Sequence, residues 1–210
     1  MHPFLEFLPL DTLMFISALY FRYWGAKIVS IETMIIALVS ALWIMLPAYI
    51  PNSSAAAFGG GAPIDGGRNF SDKRRLFGSG KTWRGLFIGI ACGVLVGSVQ
   101  ILLASYFNWD FFPKLTILPV FLLATGALLG DLGKSFFKRR LGKKSGDPWP
   151  VADQYDLVAG AFLLTVLFDP QWFFSVMSVP IVIIILIITP VLHRATNIIG
   201  YLGGVKEVPW

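Results

Sequence analysis

Apolar residues along the 210-residue chain gather into continuous runs, without strand-like alternation. Five runs are long enough, or nearly so, to cross a bilayer: 33–50, 85–107, 115–130, 151–168 and 172–192. At about 1.5 Å rise per residue, ~18 helical residues cover roughly 27 Å, close to hydrocarbon thickness. The third run borrows Asp131 and Leu132 to reach full length, and the fourth carries Asp153 and Asp156 in its first turns. Those acids therefore stand near a membrane boundary. Residues 12–21 form a shorter uncharged stretch, followed by Tyr20, Phe21, Arg22, Tyr23, Trp24 and Lys27, which reads as an interfacial helix within residues 1–30.

Composition removes the soluble alternative. Hydrophobic residues make up 56% of the chain and mean hydropathy is +0.71, so a water-soluble domain of this size would leave too much apolar surface exposed. Continuous runs also argue against a β-barrel. The expected fold is an all-α integral membrane protein with five transmembrane helices, the N-terminal interfacial helix and two large cytoplasmic loops, 51–84 and 131–152. Residues 1–210 read as one membrane domain. No internal repeat is visible, which disfavours a transporter built from inverted halves. The single cysteine, Cys92, lies inside an apolar run and excludes an intramolecular disulfide framework. Glu6 and Asp11, without a basic leader, do not resemble a cleaved signal peptide.

Net charge is +5, and its placement carries the information. Residues 68–84 hold Arg68, Lys73, Arg74, Arg75, Lys81 and Arg84; residues 134–144 hold Lys134, Lys138, Arg139, Arg140, Lys143 and Lys144. With five spans these segments share a side with the C-terminus, which adds Arg194 and Lys206. The opposite side receives Arg22, Lys27 and Lys114, a division of 14 against 3. The positive-inside rule then puts both large loops and the C-terminus in the cytoplasm and the N-terminus outside. The basic charge serves membrane and phosphate chemistry, with no nucleic-acid partner expected.

The second span carries Gly85, Gly89, Gly93 and Gly97 at four-residue spacing. Such a bare face suits either close helix packing or a groove for a lipid chain. The loop before it has seven glycines, two acids and six bases over residues 51–84, a composition that suits a bound polyphosphate. Gly80, Lys81 and Thr82 look like the end of a P-loop, but Arg75 stands where that motif needs glycine, so the P-loop fold is rejected. Lys81 still precedes a helix start, where backbone amides attract phosphate.

Asp131, Ser135 and Lys138 fall at i, i+4 and i+7 and share one face if the third helix continues. Asp153 and Asp156 share a face of the fourth. Antiparallel packing of these helices would bring all three acids to one level. Ionisable groups at membrane depth are expensive, so they require an explanation. Mutual salt bridging is one; binding of Mg²⁺ by carboxylates together with substrate phosphates is the other.

Gly130, Asp131, Leu132, Ser135, Lys138, Arg139, Gly142 and Lys143, followed by Asp153 and Asp156, resemble the signature of the CTP-dependent phosphatidate cytidylyltransferase superfamily. That signature ordinarily passes through a glycine-rich, histidine-containing stretch into Asp-Arg-x-x-Asp or Asp-Arg-x-Asp, whereas here Pro148, Trp149 and Pro150 lead into Asp153, Gln154, Tyr155 and Asp156. Together with GGGAPIDGG at 59–67 and RRLFGSGKTWRG at 74–85, this departure is similar to the archaeal branch, the CDP-archaeol synthases. The resemblance covers about residues 52–156. It implies cytidylyl transfer from CTP to an unsaturated ether-lipid phosphate, with release of pyrophosphate and with Mg²⁺ as cofactor. On that reading Asp131 is the leading metal ligand, and Asp153 and Asp156 are further ligands or holders of metal-bound water. Lys81 and Arg84 hold the triphosphate, and Lys138 and Arg139 are further phosphate contacts or anchors for the lipid phosphate. Asp131, Lys81 and Lys138 form the catalytic set. Asn52, Asp65, Gly67, Thr82 and Ser135 complete the substrate-binding residues, with Asp65 directed at cytosine or ribose. His2 and His193 fall outside the motifs and read as bystanders. An ester-lipid cytidylyltransferase and a phosphorylated-lipid transporter are the competing functions.

Overall fold

The computed structural model describes residues 31–204, so the expected interfacial segment lies outside the described residues. The chain divides into a unit over Met1–Ile36 and a larger compact unit over Ala37–Trp210. Of the first, residues 31–36 are described; they are helical and exposed. Six helices are described in all: α1 Ile31–Phe58, α2 Trp83–Tyr106, α3 Ile117–Arg140, α4 Pro150–Phe168, α5 Pro170–Val176 and α6 Val179–Leu202. All but α5 are long and apolar enough to span. Large side chains such as Leu95, Leu102 and Ile187 point outward, as they do where lipid is the solvent.

Helix ends depart from expectation on the polar side. α1 continues eight residues past Ile50 to Phe58, and α3 continues ten past Gly130 to Arg140, so the two inner loops shrink to 59–82 and 141–149. The fifth apolar run is broken. Pro180 would drive its ring into the carbonyl of Val176 in a continuous helix, and the chain stops at Val176 and restarts at Val179, with proline in the tolerated first turn.

Two internal prolines, Pro47 and Pro190, leave backbone carbonyls without intrahelical donors, and neighbouring helices satisfy both. Pro47 cannot bond the Trp43 carbonyl, which instead accepts from Gln100 Nε2 of α2 at 2.9 Å. Pro190 likewise frees the Leu186 carbonyl, which accepts from the Tyr155 hydroxyl of α4 at 3.0 Å. The core joins α1, α3, α4, α5 and α6 through Ala41, Ile44, Met45, Leu123, Leu157, Ala161, Phe173 and Ile185.

The glycine face of α2 is occupied by protein. A Cβ built on Gly93 would lie 2.6 Å from the Pro47 carbonyl oxygen and 2.8 Å from Ala124 Cβ; one on Gly97 would lie 2.3 Å from Val120 Cγ1. Close packing against α1 and α3 is therefore the reading that holds, and no lipid groove runs along this face. Gly93→Ala is expected to lower stability by about 1–3 kcal/mol through overpacking, read as a fall in Tm of the detergent-solubilised protein.

Candidate active site

α3 and α4 cross antiparallel at near-backbone contact. Cβ atoms built on Gly130 and Gly160 would meet the Asp156 and Gly126 carbonyl oxygens, each at 2.1 Å. This approach brings Asp131 of α3 level with Asp153 and Asp156 of α4. All three carboxylates converge on Lys134, whose Nζ lies 3.1 Å from Asp131 Oδ1, 3.2 Å from Asp153 Oδ1 and 2.6 Å from Asp156 Oδ2. Lys138 Nζ reaches the two Asp153 oxygens at 3.0 and 3.2 Å, and Lys81 pairs with Asp131 Oδ2. Backbone N–H groups complete the set: Trp149 donates to Asp153 Oδ2 and Leu157 to Asp156 Oδ1, both at 2.6 Å. Three acids face three lysines, so the buried cluster is formally neutral.

Lys81 arrives from the 59–82 loop, which folds back on itself. Ile64 N–H donates to the Lys81 carbonyl at 2.8 Å and Trp83 N–H to the Ala62 carbonyl at 3.2 Å. Thr82 caps α2, its Oγ1 accepting from Gly85 N–H at 3.1 Å. The loop's own centre is Asp65. Its carboxylate accepts from Arg75 Nη2 at 2.6 Å and Nε at 3.2 Å, from Gly67 and Gly78 N–H at 3.0 Å and from Phe77 N–H at 3.2 Å. Gly66 and Gly67 make this turn possible, with φ of 54° and 77° in the region that side chains disfavour. Asp65 is thus the loop's internal staple, and no oxygen of it is left aimed at a substrate.

Burial raises the Asp65 carboxyl's pKa, but the Arg75 guanidinium and the three amides outweigh it and hold the group well below the usual carboxylate range. A depressed folded value stabilises the loop above the unfolded pKa of about 3.9 and loses that contribution as pH falls below it. Wild type should therefore lose stability below about pH 4. In Asp65→Asn this contribution should be absent at every pH, with a neutral-pH loss of about 2–4 kcal/mol, read from Tm against pH.

Most loop bases serve structure. Arg74 Nη1 donates to the Arg140 carbonyl at 2.6 Å, satisfying the end of α3. Arg140 Nη2 returns the contact to the Arg75 carbonyl at 2.6 Å, while its guanidinium pairs with Asp72 and lies over Phe70 and Phe136. Arg139 donates to the carbonyls of Phe77 and Lys143. The docked loop and α3 therefore form one polar platform.

A cavity of about 640 Å³ opens between this platform and α1, α4 and α6. Of the residues expected in the site, Asn52, Lys81, Thr82, Asp131, Lys138, Asp153 and Asp156 line it. Asp65, Gly67, Arg84, Ser135 and Arg139 do not: Arg84 and Gly67 are exposed, Ser135 is buried on α3, and Asp65 and Arg139 are occupied within the loops. Lys134, the hub of the cluster, was not among the expected site residues; its i, i+3 spacing from Asp131 is the signal that points to it. Tyr49, Thr189, His193 and Asn197 also line the cavity, so His193 is no bystander by position.

A family model described as CarS-like, CDP-archaeol synthase, matches residues 34–210. The chain belongs to the CDP-archaeol synthase family. CDP-archaeol synthases of Methanoregula boonei and Methanoculleus marisnigri are 63% and 62% identical to it over 166 residues, covering 79% of this chain and all of each relative. The Methanosphaerula palustris CDP-archaeol synthase is 56% identical over the same share. A solved structure described as an intramembrane enzyme for archaeal membrane lipids biosynthesis superposes with a TM-score of 0.64 at 33% identity, covering 77% of this chain and 94% of that one. With five helices long and apolar enough to span and this neighbour, the chain is a multi-pass membrane protein.

The donor chemistry of Asp131, Asp153 and Asp156 suits a hard divalent cation, because three carboxylates from two rigid helices already surround one positive charge. That charge is the Lys134 ammonium. Among the described residues no three His, Cys, Asp or Glu side chains are spaced to hold a metal ion as they stand, and the Lys134 ammonium fills the space between the aspartates.

Proposed function

We propose that this chain transfers the cytidylyl group of CTP to the phosphate of an unsaturated archaeal ether lipid, giving CDP-archaeol and pyrophosphate, at the cytoplasmic face of the cell membrane. The observation that carries the reading is the cavity: one end holds three lysines and three aspartates, and it lies among membrane helices in a chain of this family. The 14-to-3 division of basic residues supports the sidedness, with the N-terminus outside and the C-terminus inside.

A lipid phosphate oxygen attacks the α-phosphorus of CTP in line, the bond from that phosphorus to the bridging oxygen of the β-phosphate breaks, and pyrophosphate leaves with the electron pair. The lipid phosphate is largely ionised at neutral pH, so no general base is required. Lys81, beside the N-terminus of α2, binds the triphosphate, and the α2 amides add a favourable field. Lys138 neutralises charge on the opposite wall of the cavity. Lys134 moves from the aspartates to the phosphates when the nucleotide enters. Asp131, Asp153 and Asp156 would hold Mg²⁺, which when bound supplies charge neutralisation for the transferring and leaving phosphates. Catalysis is then chiefly positioning and electrostatics.

The test is pyrophosphate release by detergent-purified protein given CTP, Mg²⁺ and the geranylgeranyl ether-lipid phosphate. Release that requires both substrates is expected. Equal turnover of an ester-lipid phosphate would move the assignment to the general phosphatidate reaction, and no release with either lipid would favour a carrier.

A further inference from the structure

The seam between α4 and α6 has two sides. Asp153 and Asp156 of α4 and His193 and Asn197 of α6 line the lysine and aspartate cavity, whereas Gln154 of α4 and Pro190, Val191, Arg194, Ala195 and Ile198 of α6 line a separate groove of about 450 Å³. The two share no lining residue. On α6 the groove residues fall at i, i+1, i+4, i+5 and i+8, a spacing that gathers them on the face turned away from the cavity. Pro190 leaves the Leu186 carbonyl free, and the bond it accepts from the Tyr155 hydroxyl at 3.0 Å ties the two helices beside the groove.

Gln154 is the fifth residue of α4, about 6 Å along the axis from Pro150. The groove therefore stands at the membrane boundary, on the side of the two large loops. Arg194 is the only lysine or arginine of α6, and among the described residues its side chain has no ion pair and no hydrogen bond. The bases of α3 differ, because Lys134, Lys138, Arg139 and Arg140 all have partners. No acid lines the groove, since Asp153 and Asp156 face the cavity, where Lys134 meets both. An unpaired guanidinium at this depth is costly until an anion or water reaches it.

A basic groove between spanning helices suits a lipid headgroup, because the charge meets phosphate at the boundary while the helix faces above it meet the chains. The planar guanidinium fork matches two phosphate oxygens, and the Gln154 amide on the facing helix is a further donor. Toward the bilayer interior Arg194 is followed on the same face by Val191, Ile187 and Ile183, exposed to 66%, 65% and 50%. That apolar track suits a lipid chain and offers nothing to a free phosphate ion. We infer that the α4–α6 groove binds the headgroup phosphate of an anionic membrane lipid, held by Arg194 and Gln154, with one chain along Val191 and Ile187. The site is separate from the catalytic cavity, and the inference does not rest on the cytidylyl-transfer reading.

The test uses the full chain in detergent micelles with phosphatidylglycerol or phosphatidylcholine carrying a photoreactive chain, and peptide mapping locates the labelled residues after illumination. Phosphatidylglycerol should label Ile187, Val191 and Ile198 about tenfold more than phosphatidylcholine does, and Arg194→Gln should remove that excess. Arg194→Lys keeps the charge and should retain at least about a third of the excess, while Gln154→Leu should lower it about threefold. Arg68→Gln, at an exposed base on the 59–82 loop, should leave it unchanged. A surplus of inorganic phosphate should not compete. Equal labelling by the two lipids, unchanged labelling in Arg194→Gln or Gln154→Leu, or an equal fall in Arg68→Gln would overturn the site. Loss in Arg194→Lys as complete as in Arg194→Gln would overturn recognition by charge, and competition by inorganic phosphate would overturn the lipid as occupant.

Discussion

Asp131→Asn is expected to lower pyrophosphate release by roughly 10²–10³-fold while leaving the fold intact. The substitution keeps the side chain's shape and removes one charge from a cluster in which three acids balance three lysines. Asp131 is the only one of the acids that touches both Lys81 and Lys134, so it links the loop that delivers phosphate contacts to the helix pair that carries the other carboxylates. Neutralised, it leaves two ammonium groups with weaker partners and removes an oxygen donor from the proposed metal site. Activity within about fivefold of wild type, with unchanged dependence on Mg²⁺, would remove Asp131 from the catalytic set and require another account of the cluster.

Gly130→Ala should be nearly as damaging although the residue touches no substrate. A methyl group at this position would lie 2.1 Å from the Asp156 carbonyl oxygen and 2.9 Å from its carbonyl carbon. Ordinary contact begins near 3.4 Å, so α3 and α4 must part by more than an ångström or rotate. Either movement pulls Asp131 and Lys134 away from Asp156, which Lys134 now meets at 2.6 Å. Displacement of about 1 Å in catalytic geometry lowers rate by about 10²-fold, and overpacking removes about 1–3 kcal/mol of stability. Gly133→Ala is the control, because a Cβ there meets nothing within 4 Å and alanine is the better helix former. Activity in Gly130→Ala equal to that in Gly133→Ala would show that the helix crossing does not set the site.

Five spanning helices, their approximate positions and the gathering of basic charge into two segments were all legible in the sequence, because bilayer thickness and charge asymmetry act on runs of adjacent residues. Local helical periodicity likewise put Asp131, Ser135 and Lys138 on one face, and the helix does continue through them as far as Arg140. The motifs at 59–67, 74–85 and 130–156 by themselves resemble the family to which the chain belongs. Other outcomes depended on contacts between residues far apart. Arg74, Arg139 and Arg140 look the same in sequence as Lys81 and Lys138, yet the first three tie loop to helix and the last two line the cavity. Asp65 sits among glycines like a ligand-binding residue, and only the fold of the loop shows five donors closing around it.

The antiparallel register of α3 and α4, set by Gly126, Gly130 and Gly160, made Lys134 the hub of the three aspartates. The approach of α6 to α1 carried His193 and Asn197 to the cavity from a segment with no motif. Sequence by itself determined which segments enter the membrane and which chemical groups stand at its boundary, since those follow from local hydrophobicity and helical period. Tertiary structure decided which charges neutralise one another and which remain for a substrate, because ion pairing and hydrogen bonding depend on separations of a few ångströms that spacing along one helix does not specify.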